Sequence, residues 1–235
     1  MPDPRHRGPD ASDRALFVPA LVPALQAAVA DLGWLLTRGY SERAAVELVG
    51  DRYQLPARAR LAVRRMAAAE DAVVTRRARR IDPAALRGRP LAIDGFNVLV
   101  GCESALAGGL LLRGRDGALR DLGSVHGGYR DVDETAVAIA ALVEVLAAAG
   151  PRSVRWLLDR PVSNSGRLAA LLRAVAPASL AWTVELVDAP DPALAEAGGV
   201  IATSDSWILD RCAAWIDLPA AVVAARGLEV WLIDA

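Results

Sequence analysis

An apolar run that breaks abruptly into Asp94-Gly95-Phe96-Asn97 constrains this chain more than any other stretch. Leu91, Ala92 and Ile93 lead into an aspartate, a glycine and an asparagine, and a second apolar run starts at Val98. The pattern is that of a buried strand ending in a loop. In an open parallel sheet, ligands bind outside the carboxyl ends of the strands, so Asp94 and Asn97 are expected at the functional edge. The competing reading is an Asx turn, in which Asp94 bonds local backbone and does no chemistry. Two later segments end the same way, Val154-Arg155-Trp156-Leu157-Leu158-Asp159 and Val200-Ile201-Ala202-Thr203-Ser204-Asp205.

At 235 residues the chain is long enough for one large domain or two small ones. No run approaches the roughly 18 uninterrupted apolar residues of a membrane span, and the first residues lack an apolar signal core, so a cytoplasmic protein without a membrane partner is expected. Cys102 and Cys212 are isolated, without the paired spacing of a zinc site or a disulfide scaffold. Every basic residue is arginine, a bias that fits a GC-rich genome and discounts arginine content as a nucleic-acid signal. Its distribution is more telling. Residues 1–90 hold 16 arginines against 10 acids, while residues 91–235 hold 11 against 18.

Residues 1–13 read as a disordered tail. Residues 14–80 read as a basic helical domain. Leu21, Leu25, Ala28, Leu32 and Leu35 form one stripe of a helix over Pro19–Thr37, and a second helix spans Ser41 to about Val49, ended by Gly50. A third is predicted from Pro56 to about Arg79, carrying Arg58, Arg60, Arg64, Arg65, Arg76, Arg77, Arg79 and Arg80. Such an element suits a phosphate backbone, with Arg64 and Arg65 as contacts. The alternative is a helix that docks on the acidic second half. Residues 81–90, with Pro83, Gly88 and Pro90, read as a linker. Strands and helices then alternate over 91–235, the signature of an α/β fold with a mainly parallel sheet. Arg115-Asp116-Gly117 between short apolar segments predicts an inserted β-hairpin. A helix is predicted over Ser206–Ile216, and a last strand, Leu228–Ile233, should close the sheet. The tryptophans fall in apolar segments and read as core.

If the three strands are parallel, Asp94, Asp159 and Asp205 converge on one edge. Like charges so placed need protons or a cation, and oxygen-rich clusters suit Mg²⁺ or Mn²⁺. Glu134, opening a helix, is a fourth acid; two metals about 4 Å apart support in-line attack on a phosphodiester. Each aspartate has a plainer reading as a helix cap, and Glu134 as a complement to the helix dipole. His126, Tyr129 and Arg130, in Ser-Val-His-Gly-Gly-Tyr-Arg, are candidates to touch a phosphate or base, with His126 as a general acid. Ser163, Asn164 and Ser165 precede a helix N-terminus, where backbone amides bind anions; an ordinary N-cap is the alternative.

Ile93-Asp94-Gly95-Phe96-Asn97-Val98-Leu99 resembles the first motif of PIN-like and NYN-type nucleases, and Thr203-Ser204-Asp205-Ser206-Trp207-Ile208 resembles their late strand-end aspartate motif. With Arg-Asp-Leu-Gly-Ser-Val-His-Gly-Gly-Tyr-Arg and Pro-Val-Ser-Asn-Ser-Gly-Arg, the arrangement is similar to a prokaryotic family. It pairs an N-terminal helical domain of unknown function (family 434) with a C-terminal PIN-like domain of unknown function (family 5616). The resemblance implies a PIN-like (Rossmannoid) α/β domain over 91–235, a mainly parallel sheet with flanking helices, preceded by a small all-α domain. On the nuclease pattern Asp94 and Asp205 match directly, and Glu134 and Asp159 match by order along the chain. The expectation is a Mg²⁺- or Mn²⁺-dependent RNA phosphodiesterase. The alternatives are a non-catalytic RNA-binding module and a protein binding nucleotides or small phosphoesters.

Overall fold

The structure, a computed structural model, describes residues 6–123 and 129–235. The N-terminal region is all-helical: α1 (Asp13–Leu16), α2 (Val22–Thr37, entered through a 3-10 turn over Pro19–Leu21), α3 (Glu42–Arg52), α4 (Ala57–Met66) and α5 (Glu70–Arg79). Leu25, Ala28, Leu32 and Leu35 form the buried stripe of α2, as their spacing predicts. By length and composition Pro19–Thr37 could cross a membrane (mean hydropathy 1.4), and a third of it is buried, with α2 packed on α3 and α4. α3 runs through Gly50 rather than ending there.

The single helix expected from Pro56 to Arg79 is two helices, because Ala67 and Ala69 are extended. The cause is tertiary. The Arg115 backbone N–H donates to the Met66 carbonyl at 2.8 Å, and its Nη1 donates to the Ala68 carbonyl at 2.9 Å. Those carbonyls would serve a continuous helix. Gly33 makes the room: a Cβ there would stand 2.4 Å from Arg115 Nη1.

The second region runs β1 (Pro90–Asp94), α6 (Gly95–Leu106), β2 (Leu110–Arg113), β3 (Leu119–Asp121), α7 (Thr135–Ala149), β4 (Ser153–Asp159), α8 (Ser165–Ala174), β5 (Ala181–Val187), α9 (Pro190–Ala195), β6 (Val200–Ala202), α10 (Ser206–Leu209), β7 (Trp215–Ile216), α11 (Leu218–Arg226) and β8 (Trp231–Asp234). Among the described residues, the main sheet is all parallel, in the order β5-β4-β1-β6-β7. The chain winds outward from β1 to β5, then returns to β6 and β7, so the strand order reverses between β1 and β6. Such a switch point opens a crevice at the strands' carboxyl ends.

Both faces of the sheet are covered, as parallel sheets require. Leu91, Ile93, Trp156, Leu158 and Val200 pack with residues of α6, α7, α8 and α11, while Ala92, Leu157, Ile201 and Trp215 pack with Leu194 of α9 and Ile208 of α10. Strand alternation therefore puts Asp94 and Asp159 on the side of α9 and α10. No loop separates β1 from α6. Gly95 permits this, since a Cβ there would meet Leu158 Cδ2 at 2.4 Å and the Leu157 carbonyl at 3.0 Å.

The expected hairpin is present: β2 and β3 pair antiparallel. β8, expected to close the main sheet, instead adds to this hairpin, parallel to β2. One face of that small sheet, through Leu110, Leu112 and Ile233, completes the core of the helical region. The helix expected over Ser206–Ile216 stops after α10. Trp215 is drawn into β7 beside β6, and its Nε1 donates to the Arg76 carbonyl at 2.6 Å. The expected linker is docked, with Leu86 fully buried and the Ile81 N–H donating to the Trp215 carbonyl. Nor is the described part of the tail loose, since Arg7 Nε donates to the buried Glu103 at 2.8 Å and Arg58 pairs with Asp13. Trp34 and Trp207 are half exposed rather than core. Cys102 and Cys212 are buried.

One buried charge cluster ties the helical region to the sheets. Asp116, in the hairpin turn, accepts from Arg120 Nη1 and Nη2 at 2.8 and 2.7 Å and from Arg76 Nη1 at 2.8 Å. Arg76 also forks onto Asp210 at 2.7 and 3.0 Å. Burial alone would raise the Asp116 pKa, but the two guanidiniums outweigh it and hold the carboxyl at about 2. Asp116→Asn keeps the shape and removes the charge, leaving the buried Arg120 guanidinium uncompensated while Arg76 retains Asp210. It should cost about 3–5 kcal/mol in urea denaturation at pH 7. Because the folded pKa lies below the unfolded value of about 4, the wild-type advantage is full above pH ~4 and fades as the pH falls toward 2.

Candidate functional site

Strand register assembles the switch point. Ile93 pairs with Ala202, which sets Asp94 at the end of β1 beside Thr203 just beyond β6. Thr203 Oγ1 donates to Asp94 Oδ2 at 2.8 Å and accepts from the Asp205 N–H at 3.0 Å. Asn97, in the first turn of α6, accepts at Oδ1 from the Ser204 N–H at 2.8 Å and the Ser204 hydroxyl at 3.0 Å. Arg120 Nε donates to the Ser204 carbonyl at 2.9 Å. The Thr203–Ser206 turn is thus held from β1, α6 and the hairpin. Asp205 uses Oδ1 to cap α10, accepting from the N–H groups of Trp207 and Ile208 at 2.8 and 3.2 Å. The cap reading of this aspartate holds for that oxygen.

Four carboxylates lie along this edge, near enough to shift one another's charge. Burial pushes Asp94 up to about 7, and the like charges of Asp205 and Asp191 add to it. Asp191, in the first turn of α9, is raised by burial and then by Asp205 and Asp159. Asp159 Oδ1 is buried with no hydrogen-bond partner among the described residues, so its side chain does not act as the cap its position allowed. Sequence reasoning missed Asp191. Its Ala-Pro-Asp-Pro setting reads as an ordinary helix start, and only the packing of α9 on β1 and β4 brings it to the acids.

Beside this edge lies a cavity of about 500 Å³, walled on one side by Glu42, Leu61, Arg64 and Arg65 of the helical region. The other side is Phe96, Asn97, Val100, Arg120, Asp121 and the Ser204–Ser206 turn. It brings together Arg64, Arg65, Asn97 and Asp205, residues spread over 140 positions of sequence. Arg64 is half exposed and donates to Glu42 at 2.9 Å. Arg65 is committed inward, donating to the carbonyls of Asp121 and Gly123, and burial lowers its pKa.

The other expected residues lie elsewhere or are engaged. Tyr129, expected to touch substrate, is fully buried, its hydroxyl shared by Glu103 and Thr135 and its ring 5.2 Å from that of Phe96. Glu134 Oε1 pairs with His6 at 2.6 Å, on the side where Arg7 and Glu103 meet, and it does not figure among the charges that shift Asp94. Arg130 is exposed and its carbonyl accepts from Arg7. His126 lies outside the described residues. Asn164 Nδ2 donates to the Tyr129 carbonyl at 2.7 Å, Ser165 Oγ donates to the Arg160 carbonyl at 3.1 Å, and Ser163 is exposed. The Asn164 and Ser165 side chains fasten the loop after β4.

The arginine-rich stretch is largely engaged in hydrogen bonds and ion pairs, though Arg64, Arg77 and Arg80 stay exposed. Arg76, Arg77, Arg79 and Arg80 all donate to residues of the second region. Arg58 and Arg60 pair with Asp13 and Asp51.

Compared with known proteins, residues 83–221 match the model described as domain of unknown function DUF5616, and residues 24–79 match protein of unknown function DUF434. An uncharacterized protein of Methanocaldococcus jannaschii is 30% identical over 187 residues, covering 79% of this chain and 89% of that protein. No solved structure matches the chain.

The electrostatics of Asp94 give a test with a sign. Its folded pKa of about 7 lies above the unfolded ~4, so the wild type loses stability as pH rises through this window. Asp94→Asn keeps an acceptor for Thr203 and removes the charge. In metal-free buffer it should be more stable than wild type at pH 8, by about 2 kcal/mol. That is half of what three pKa units imply, since water at the crevice mouth screens the charge. At pH 4 the two should unfold alike.

Proposed function

The chain belongs to the DUF5616 family, and we propose that it is a metal-dependent phosphodiesterase acting on RNA, with its site at the β1/β6 switch point. One observation carries the reading: a cavity at the carboxyl ends of the strands sets Arg64 of the helical region against the turn carrying Asp205 and against Asn97 of α6. Anion-binding and acidic groups facing one another suit a phosphoester.

The donor set fits Mg²⁺ or Mn²⁺, which prefer carboxylate oxygens and retain water. The unpartnered Asp159 Oδ1 and the mutual repulsion of Asp94, Asp191 and Asp205 are both relieved by a cation. No three acids, histidines or cysteines among the described residues stand close enough to hold one ion. One or two carboxylates plus water is the arrangement this reading requires, and one that Mg²⁺ favours. Asp94 and Asp205 are the first candidates, Asp159 and Asp191 the next. A bound divalent ion supplies charge for the developing oxyanions and acidifies water. Arg64 orients the phosphate, and Thr203 and Asn97 hold the acids and the turn in register. A second reading, binding without chemistry, is favoured by the capping role of Asp205 Oδ1.

Thermal melting of the full chain with Mn²⁺ or Mg²⁺, followed by cleavage of single-stranded RNA in the better metal, separates the two. At 100-fold excess over Kd the metal should raise the wild-type Tm by about 5 °C. Asp94→Asn and Asp205→Asn should abolish that rise and slow cleavage at least ~100-fold. A Tm indifferent to metal, with no RNA cut, refutes the proposal; RNA binding without metal response or cleavage establishes the second reading.

A further inference from the structure

We propose that the cavity between the helical region and the switch point binds one nucleoside monophosphate unit, either free or at the end of a strand. The inference rests on the reading of this edge as a phosphoester site and names what enters it. A volume of about 500 Å³ is in the range of small-molecule sites and admits one nucleotide rather than a duplex.

The lining divides by chemistry. Leu61, Phe96 and Val100 supply apolar surface for a base or ribose face. Arg64 supplies the phosphate contact. Of the three lining guanidiniums, Arg120 is spent on Asp116 and the Ser204 carbonyl, and Arg65 on the Asp121 and Gly123 carbonyls. Arg64 has one described partner, Glu42, in a half-exposed pair that a phosphate dianion displaces at little cost.

Two further groups call for a ligand with both donors and acceptors. Among the described residues Asn97 is bonded at Oδ1 only, which leaves its Nδ2 hydrogens to donate to a ligand in the cavity it lines. Asp121 lines the same cavity; its Oδ1 makes no hydrogen bond among the described residues and stands 3.6 Å from Arg65 Nη1 as an ion pair. The ion pair leaves that carboxylate without a hydrogen-bond donor, which a ribose hydroxyl or exocyclic amine would supply. Inorganic phosphate offers neither that group nor the apolar face.

Calorimetric titration in EDTA tests this apart from any catalysis. The probes are UMP, AMP, uridine, inorganic phosphate and a 5′-phosphorylated oligonucleotide, titrated into wild type, Leu61→Trp, Arg64→Ala and Asp121→Asn. All variants are first checked for an unchanged melting transition. Either mononucleotide should bind wild type at least ~10-fold more tightly than uridine or phosphate. Leu61→Trp, which fills the cavity from its rim, should abolish binding. Arg64→Ala should erase the preference for UMP over uridine, and Asp121→Asn should weaken UMP while sparing phosphate. Oligonucleotide binding equal to UMP identifies a strand end as the source, and UMP binding alone identifies the free nucleotide; either supports the pocket. No saturable mononucleotide binding, or binding untouched by Leu61→Trp, overturns it. Nucleotide binding without RNA hydrolysis in metal would keep the pocket and remove the nuclease; hydrolysis without nucleotide binding would do the reverse.

Discussion

Arg76 and Arg120 enclose the Asp116 carboxylate deep in the protein, and the positions of the functional edge follow from that arrangement. Arg76 belongs to α5, Asp116 and Arg120 to the hairpin, and the same guanidiniums reach Ser206 Oγ at 3.2 and 3.4 Å, the Ser204 carbonyl and Asp210. A buried ion cluster of this kind is weak as a source of net stability, because desolvation offsets most of the attraction. Its effect is geometric: each charge has one arrangement in which it is satisfied. The turn carrying Asp205 is therefore placed by the helical region as well as by the strand that precedes it.

The uneven charge of the two halves has its explanation in the same contacts. The arginines of α4 and α5 point largely at carbonyls and carboxylates, many of them in the acidic half, so the basic surplus serves docking. What is left over is local. Arg64, half exposed at the cavity rim, is where that surplus meets the acidic edge.

At the edge itself, repulsion is built in. Asp94, Asp191, Asp205 and Asp159 are placed by four different elements, yet none has an arginine partner among the described ion pairs. Arg160, one residue from Asp159, pairs instead with Asp188. A fold that pairs most of its arginines internally leaves these acids without counter-charge. That selective omission costs stability at neutral pH, and such costs tend to be retained where a site needs them.

Much of this was legible in the chain. Strand ends at Asp94 and Asp159, the hairpin at Asp116-Gly117, the stripe of α2 and the parallel sheet all follow from local periodicity and turn chemistry. The break at Ala67–Ala69, the diversion of Trp215 into β7 and the pairing of β8 with β2 do not. Each is decided by a partner far off in sequence: Arg115 taking the Met66 and Ala68 carbonyls, the Arg76 carbonyl receiving the Trp215 indole, and the helical core covering Ile233. The same division holds at the site. Residue order and periodicity sufficed to put Asp94 at a strand end, because a strand end is a local event, while Asn97 lies in the first turn of α6 and Asp205 three residues past β6. Asp191 joins them, Tyr129 is withdrawn and Arg64 faces Asn97 only because helices pack across the sheet, and packing between distant segments leaves no trace in the spacing of either one.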